Sequence, residues 1–220
     1  MRKTALVLCA ALALAACGNR AERPDLGETG AMSLLNRTLG REAAAPEGGG
    51  LCGDPMLVGE VAGPVDGRGA CGIDSAVRLR AVGDVQLSQA ALIDCTTAKA
   101  LKTWLDTGAK PAIGTRGGGI SRLRVAAHYA CRTRNHQKGA KLSEHGRGRA
   151  IDISLIRLVD GTSISVLEGW NTKRDGPALR KMHAAACGPF GTVLGPESDR
   201  FHKDHFHFDT ARHRGGSYCR

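Results

Sequence analysis

Aromatic side chains make up only 4% of this 220-residue chain, and several common signatures are missing altogether. Single-stranded nucleic acid binds on stacked aromatic platforms, so their scarcity, with cationic residues scattered rather than clustered, argues against a nucleic-acid partner. No two cysteines stand in the Cys-x-x-Cys spacing of a zinc ribbon. The glycine run Gly117-Gly118-Gly119 has no Gly-Lys-Ser/Thr after it, so it is not a phosphate loop. No internal repeat is visible, which leaves out solenoids and propellers. The most continuous apolar run, Ala5 to Ala16, is too short to cross a bilayer as a stable helix.

That run has the form of an export signal instead: Arg2 and Lys3 precede it and small residues end it. Leu14-Ala15-Ala16-Cys17 resembles the bacterial lipobox, which implies removal of residues 1–16 and lipidation of Cys17. Gly18 rather than Asp after the cysteine implies, by the same resemblance, attachment to the outer membrane of a Gram-negative periplasm. Residues 17–50 are rich in Pro, Gly, Ala and Glu with no sustained apolar period beyond Met32 to Leu39, and read as a flexible tether reaching about 30 Å. Residues 51–220 are the length of one domain. The net charge of +10 becomes +8 without Arg2 and Lys3. Such a surface suits acidic partners, among them the carboxylates of cell-wall peptides, although much of the charge is a solvated face.

Six cysteines remain beyond Cys17: Cys52, Cys71, Cys95, Cys131, Cys187 and Cys219. In an oxidising compartment they imply three disulfides among fifteen connectivities. Because Cys52 and Cys71 flank one short segment, they are the expected first pair.

The pattern predicts an α+β domain with a central antiparallel sheet flanked by helices. Leu51 to Gly72 is too irregular to define an element. Ala76 to Val82 and Ile120 to Cys131 alternate as half-buried strands. A helix capped by Thr96 or Thr97 runs to about Thr107, with Trp104 on its core face and Gly108 and Pro111 ending it. Arg149 to Leu158 forms a strand, Asp160-Gly161 turns it, and Ser163 to Val166 returns. Pro177 to Cys187 is a helix stopped by Gly188. Val193 and Leu194 make a short strand, and Asp204 to Thr210 makes the last one.

Four histidines and four carboxylates fall into two short clusters, Ser143 to Asp152 and His202 to Asp209. On a strand, His205, His207 and Asp209 share one face while Phe206 and Phe208 enter the core. Asp152 likewise shares a face with Ala150 and Ser154. His145 precedes that strand in a turn where Gly146 and Gly148 let the backbone fold back. One His and one Asp from the first cluster with one His from the second would give zinc three ligands and an open fourth position, the mark of a catalytic site. Zinc so held lowers the pKa of a water to about 7. Asp204 and His205 are the candidates for moving its proton. A His-x-His pair alone is commonly structural, and an isolated Asp commonly pairs with an Arg; the conjunction of both clusters carries the argument. His128, His136, His183 and His213 lack such context and read as ordinary.

Ser143-x-His145-x-x-Gly148-x-Ala150-x-Asp152 resembles the first zinc motif of the D-Ala-D-Ala metallopeptidases, which belong with lysostaphin-type enzymes and the hedgehog signalling domain. His202-x-x-His205-x-His207 resembles the second motif of the related murein endopeptidases. From Cys52 to Cys219, including Tyr129-x-Cys131-Arg132 and Val193-Leu194-Gly195-Pro196, the chain resembles the bacterial extensin-like C-terminal domain family. The resemblance implies a hedgehog-like peptidase fold and zinc held by His145, Asp152 and His207. It gives His205 a catalytic role and makes Arg132 the group that stabilises an oxyanion or grips a substrate carboxylate. Ser143 belongs to the substrate side, and His202 is either a partner behind the ligands or exposed. The dipeptidase branch has Glu where this chain has the shorter Asp204, which leaves the division of labour between Asp204 and His205 open. The implied activity is hydrolysis of amide bonds in peptidoglycan stem peptides, with a non-catalytic cell-wall-binding module as the alternative.

Overall fold

The computed structural model describes residues 49–220; the expected signal segment, Cys17 and the tether up to residue 48 lie outside the described residues. Nine strands form one mixed, mostly antiparallel sheet. They are β1 (Leu57–Asp66), β2 (Gly72–Val82), β3 (Val85–Asp94), β4 (Ile120–Ala127), β5 (Ala150–Leu158), β6 (Ser163–Ser165), β7 (Thr192–Leu194), β8 (Phe206–Asp209) and β9 (Tyr218–Cys219). Their order is β1-β2-β3-β4-β5-β8-β7-β9, with β6 also paired to β5; β3–β4 and β7–β9 are parallel. The α+β class follows, with two parallel joints in place of a purely antiparallel sheet.

The segment before Gly72 contains β1, where no element was expected. Its apolar residues escape alternation because the β1–β2 ladder shifts register at three points, so inward and outward positions change along the strand. β3 was likewise unforeseen, and Phe206–Asp209 is followed by the two-residue β9 rather than being the last strand.

Helix α1 (Cys95–Trp104) is capped by Asp94, whose carboxylate accepts from the Thr97 backbone N–H at 2.7 Å, rather than by Thr96 or Thr97. It runs past Gly108 and Pro111 through a π-helical segment (Leu105–Ala109) into α2 (Lys110–Ile113). Gly108 is a packing position and not a stop: a Cβ there would lie 2.6 Å from the Ala185 Cβ of α4 (Gly176–Ala186). α3 (Val166–Gly169) completes the α-helices among the described residues. Trp104 is fully buried, donates from Nε1 to the Met182 carbonyl at 2.8 Å and meets the Phe208 ring edge-on at 5.0 Å. Phe206 and Phe208 thus enter the core, and their alternate neighbours His207 and Asp209 point to the opposite face.

The disulfides join Cys52 to Cys95, Cys71 to Cys131 and Cys187 to Cys219. The expected Cys52–Cys71 pair is incorrect. The fold gives each cysteine another partner: Cys95 at the start of α1 lies beside Cys52, with Cα atoms 5.5 Å apart, and Cys131 beyond β4 lies beside Cys71, at 5.6 Å.

Gly108→Val should destabilise the domain by about 1–3 kcal/mol, because the helices cannot separate without opening the core. Thermal unfolding would show this, while metal affinity should stay at the wild-type value.

Candidate metal centre

β5 and β8 pair antiparallel with Asp152 directly opposite His207. His145 joins them from the short 3-10 turn Glu144–Arg147, which Gly148 closes at φ 66°. Gly148 is required twice over, since a Cβ there would also lie 2.3 Å from Ile73 Cδ1. His145, Asp152 and His207 are all buried. Asp152 Oδ1 lies 2.8 Å from His207 Nδ1 and 3.2 Å from His145 Nε2, and the two nitrogens are 3.2 Å apart. A tetrahedral zinc site with bonds of 2.0–2.1 Å has ligand-to-ligand edges of about 3.3 Å. The triangle has that size, and these three residues form a group able to hold a metal ion.

The outer nitrogen of each imidazole decides the chemistry of the inner one. His145 Nδ1 is 2.7 Å from the His128 carbonyl, which can only accept, so Nδ1 carries the proton and a neutral ring turns a bare Nε2 inward. His207 Nε2 donates to Asp209 Oδ2 at 3.1 Å, so its neutral ring turns a bare Nδ1 inward. Two nitrogen lone pairs and a carboxylate oxygen therefore face one another, and the arrangement calls for a cation. Without a metal the cation is a proton. Burial works against a charged His207, but Asp152 and Asp209 on either side outweigh it and raise its pKa to about 9. Burial would raise Asp152, yet its hydrogen bonds to His145 and His207 hold it far below the usual carboxylate range. Asp209 is also lowered: burial opposes ionisation and the His207 hydrogen bond prevails.

A cavity of about 440 Å³ is lined by Asp152, His207 and Asp209, whereas His145 is fully buried and does not line it. One wall comes from the loop after β4, with Arg132, Arg134, Asn135, His136, Ser143 and Glu144. Ser143 is buried, and its backbone N–H donates to the Arg132 carbonyl at 3.0 Å, tying the arginine loop to the His145 turn. The other wall holds Leu194, Phe201, His202, His205, His213 and Tyr218. His205 Nδ1 is 2.8 Å from Asp204 Oδ1, and its Nε2 is 3.6 Å from Asp152 Oδ2. Asp204 stands behind it, its side chain 65% exposed. His202 is buried, not exposed, and bonds to Asp199 Oδ1 at 2.8 Å. Burial lowers its pKa against the pull of Asp199, so the ring is neutral beside His205 and His207.

Several participants were not foreseen. Asp209 stood in the second cluster without a role; its position two residues after His207 on one strand places it on the same face, and that signal was available. The His128 carbonyl had no local signal, because only the tertiary fold brings it to His145. His136 and His213, read as ordinary, line the cavity, and His213 Nε2 lies 2.9 Å from Thr192 Oγ1, a residue paired across the ladder with Asp209. His183 is half-buried, packed against Trp170 and Phe206.

The fold and the site define a disulfide-tied α+β domain with a buried His–Asp–His group able to hold a metal ion. The family model for the extensin-like protein C-terminus matches residues 56–220, and the chain belongs to that family. No curated protein and no solved structure matches it.

Two outcomes follow from the proton at His207. Its folded pKa lies above the ordinary 6.5, so in the metal-free protein the pairing stabilises fully below pH 6.5 and is lost as pH rises through about 9. A metal must displace that proton; calorimetry in buffers of different ionisation enthalpy should show proton release near pH 8, with affinity rising about tenfold per pH unit up to about 9. Asp209→Ala should weaken metal binding about 10–100-fold, measured by competition with a chelator, because His207 loses the acceptor that orients it.

Proposed function

We propose that this protein is a periplasmic lipoprotein, held at the outer membrane through Cys17, that hydrolyses amide bonds in peptidoglycan stem peptides with zinc bound by His145, Asp152 and His207. The observation that carries the reading is the cation-deficient triangle of donor atoms, two of whose residues, Asp152 and His207, line an open cavity. Its two motifs resemble those of the D-Ala-D-Ala metallopeptidases and murein endopeptidases, and a hedgehog-like arrangement of the sheet belongs to the same proposal. Three disulfides suit an oxidising compartment. Mixed imidazole and carboxylate donors favour zinc over harder cations, which take oxygen.

Zinc at this position supplies Lewis acidity, polarising a carbonyl and lowering the pKa of water. The chain's own residues supply the rest. Asp204 accepts a hydrogen bond from His205 Nδ1, which directs Nε2 toward the cavity. His205 Nε2 then takes a proton from the attacking water and returns it to the leaving amine. This division of labour makes Asp204 the group that orients His205. Arg132, half-buried in the cavity wall, offers its guanidinium to the developing oxyanion or to a substrate carboxylate.

Incubating the purified domain with zinc and muropeptides, and reading the fragments by mass spectrometry, tests the proposal. Wild-type protein should release amide-cleavage products. His205→Ala should retain its zinc and lose about 10²–10⁴-fold in rate, whereas His207→Ala should lose both metal and activity. Folded, zinc-loaded wild-type protein that binds muropeptides and releases nothing would establish the non-catalytic binding module in place of the enzyme.

A further inference from the structure

The few aromatic rings of this domain are distributed unevenly. Trp104, Trp170, Phe190, Phe206 and Phe208 are buried and Tyr129 is half-buried, while Phe201 and Tyr218 are 38% and 46% exposed. Both exposed rings line the cavity of the metal centre. Each has a guanidinium over it: Arg200 lies 4.8 Å from the Phe201 centroid and Arg220 lies 5.5 Å from the Tyr218 centroid. Their backbones are held. Tyr218 pairs with Thr192 in the β7–β9 ladder, next to the Cys187–Cys219 disulfide, and its N–H donates to the Gly191 carbonyl at 2.7 Å. The Phe201 N–H donates to Asp199 Oδ1 at 2.7 Å.

Exposing two large rings to water is unfavourable, and a chain with so few of them keeps both at one rim. Each ring stays partly exposed beside its guanidinium, which adds N–H donors at the ring's edge; the Tyr218 ring also has His213 at 6.3 Å. That combination, an apolar face bordered by donors, matches a pyranose ring. The axial C–H groups of such a sugar form an apolar face, and its equatorial hydroxyl and acetamido oxygens accept hydrogen bonds at the edge. An apolar peptide side chain would use the rings and leave the guanidinium groups idle. Preorganised backbones lower the entropy lost on binding.

We propose that Phe201 and Tyr218 form a pyranose-binding rim, so that the site takes peptides still attached to an N-acetylated aminosugar in preference to free peptides. This deepens the reading of the site as acting on stem peptides and rests on it for the identity of the attached substrate.

Titrating the N-acetylglucosamine tetramer into the zinc-loaded protein, followed by NMR, tests the rim without turnover. Millimolar binding is expected, with shifts at Phe201 and Tyr218. Phe201→Ser and Tyr218→Ser should each weaken it about fivefold or more, while Phe201→Tyr and Tyr218→Phe should preserve it. Zinc affinity should not change in any of the four, which separates a binding role from a structural one. No binding, or binding indifferent to the serine variants, would overturn the proposal. So would equal kcat/KM for a free stem peptide and for the same peptide on its disaccharide, an outcome that leaves the peptidase reading standing. Sugar binding without cleavage of any peptide would remove the peptidase and keep the rim.

Discussion

The centre depends on one register. Asp152 opposite His207 on β5 and β8 forces a carboxylate oxygen and an imidazole nitrogen to within 2.8 Å in a buried site. A slip of one residue would turn both into the aromatic and aliphatic core and bring Phe208 and Ile153 to the cavity. The core side blocks that slip, because Phe206 and Phe208 stack on each other, and Phe208 also meets Trp104 and Phe190. Hydrophobic packing on one face of the sheet therefore sets the electrostatics of the other.

The proximity of the donors would be costly if their lone pairs were left unbalanced, and the surrounding groups select how it is balanced. The His128 carbonyl and the Asp209 carboxylate each claim an outer N–H, so neither ring can relieve the centre by changing tautomer. What remains is a cation, either a proton on His207 or a metal among all three. Proton and metal compete for the same electron pairs, which is why the raised pKa of His207 and a capacity for metal express one property.

The parts of this arrangement differ in how far the sequence reveals them. His207 and Asp209 alternate with Phe206 and Phe208, so a period of two shows which face each takes. The Gly148 turn that returns His145 to the site is marked by its glycine. β1 was obscured because its ladder shifts register three times and breaks the alternation. The helix runs through Gly108 against its sequence pattern because a glycine required by contact with Ala185 looks like a glycine that ends a helix. The Cys71–Cys131 link and the His128 carbonyl depend on strands distant in sequence, and no local pattern encodes them. Nearness of Cys52 and Cys71 along the chain was misleading because the fold brings each to a partner much further on, 43 residues for Cys52 and 60 for Cys71.

The disulfides make sense on the same division of faces. The Phe206 and Phe208 side of the sheet is held by helices, whereas the cavity walls are loops: one follows Cys131 and the other ends at Cys219. Loops of this kind bury little apolar surface and would open locally at small cost. Bridges spanning 60 and 32 residues contribute about 4 kcal/mol each in the chain-entropy account. Placed at Cys131 and Cys219, they anchor the Arg132 loop and the Tyr218 segment beside a centre that tolerates little displacement. Covalent links thus replace the packing that an open cavity has to forgo, and an oxidising environment becomes a condition for the shape of the site as well as for the stability of the fold.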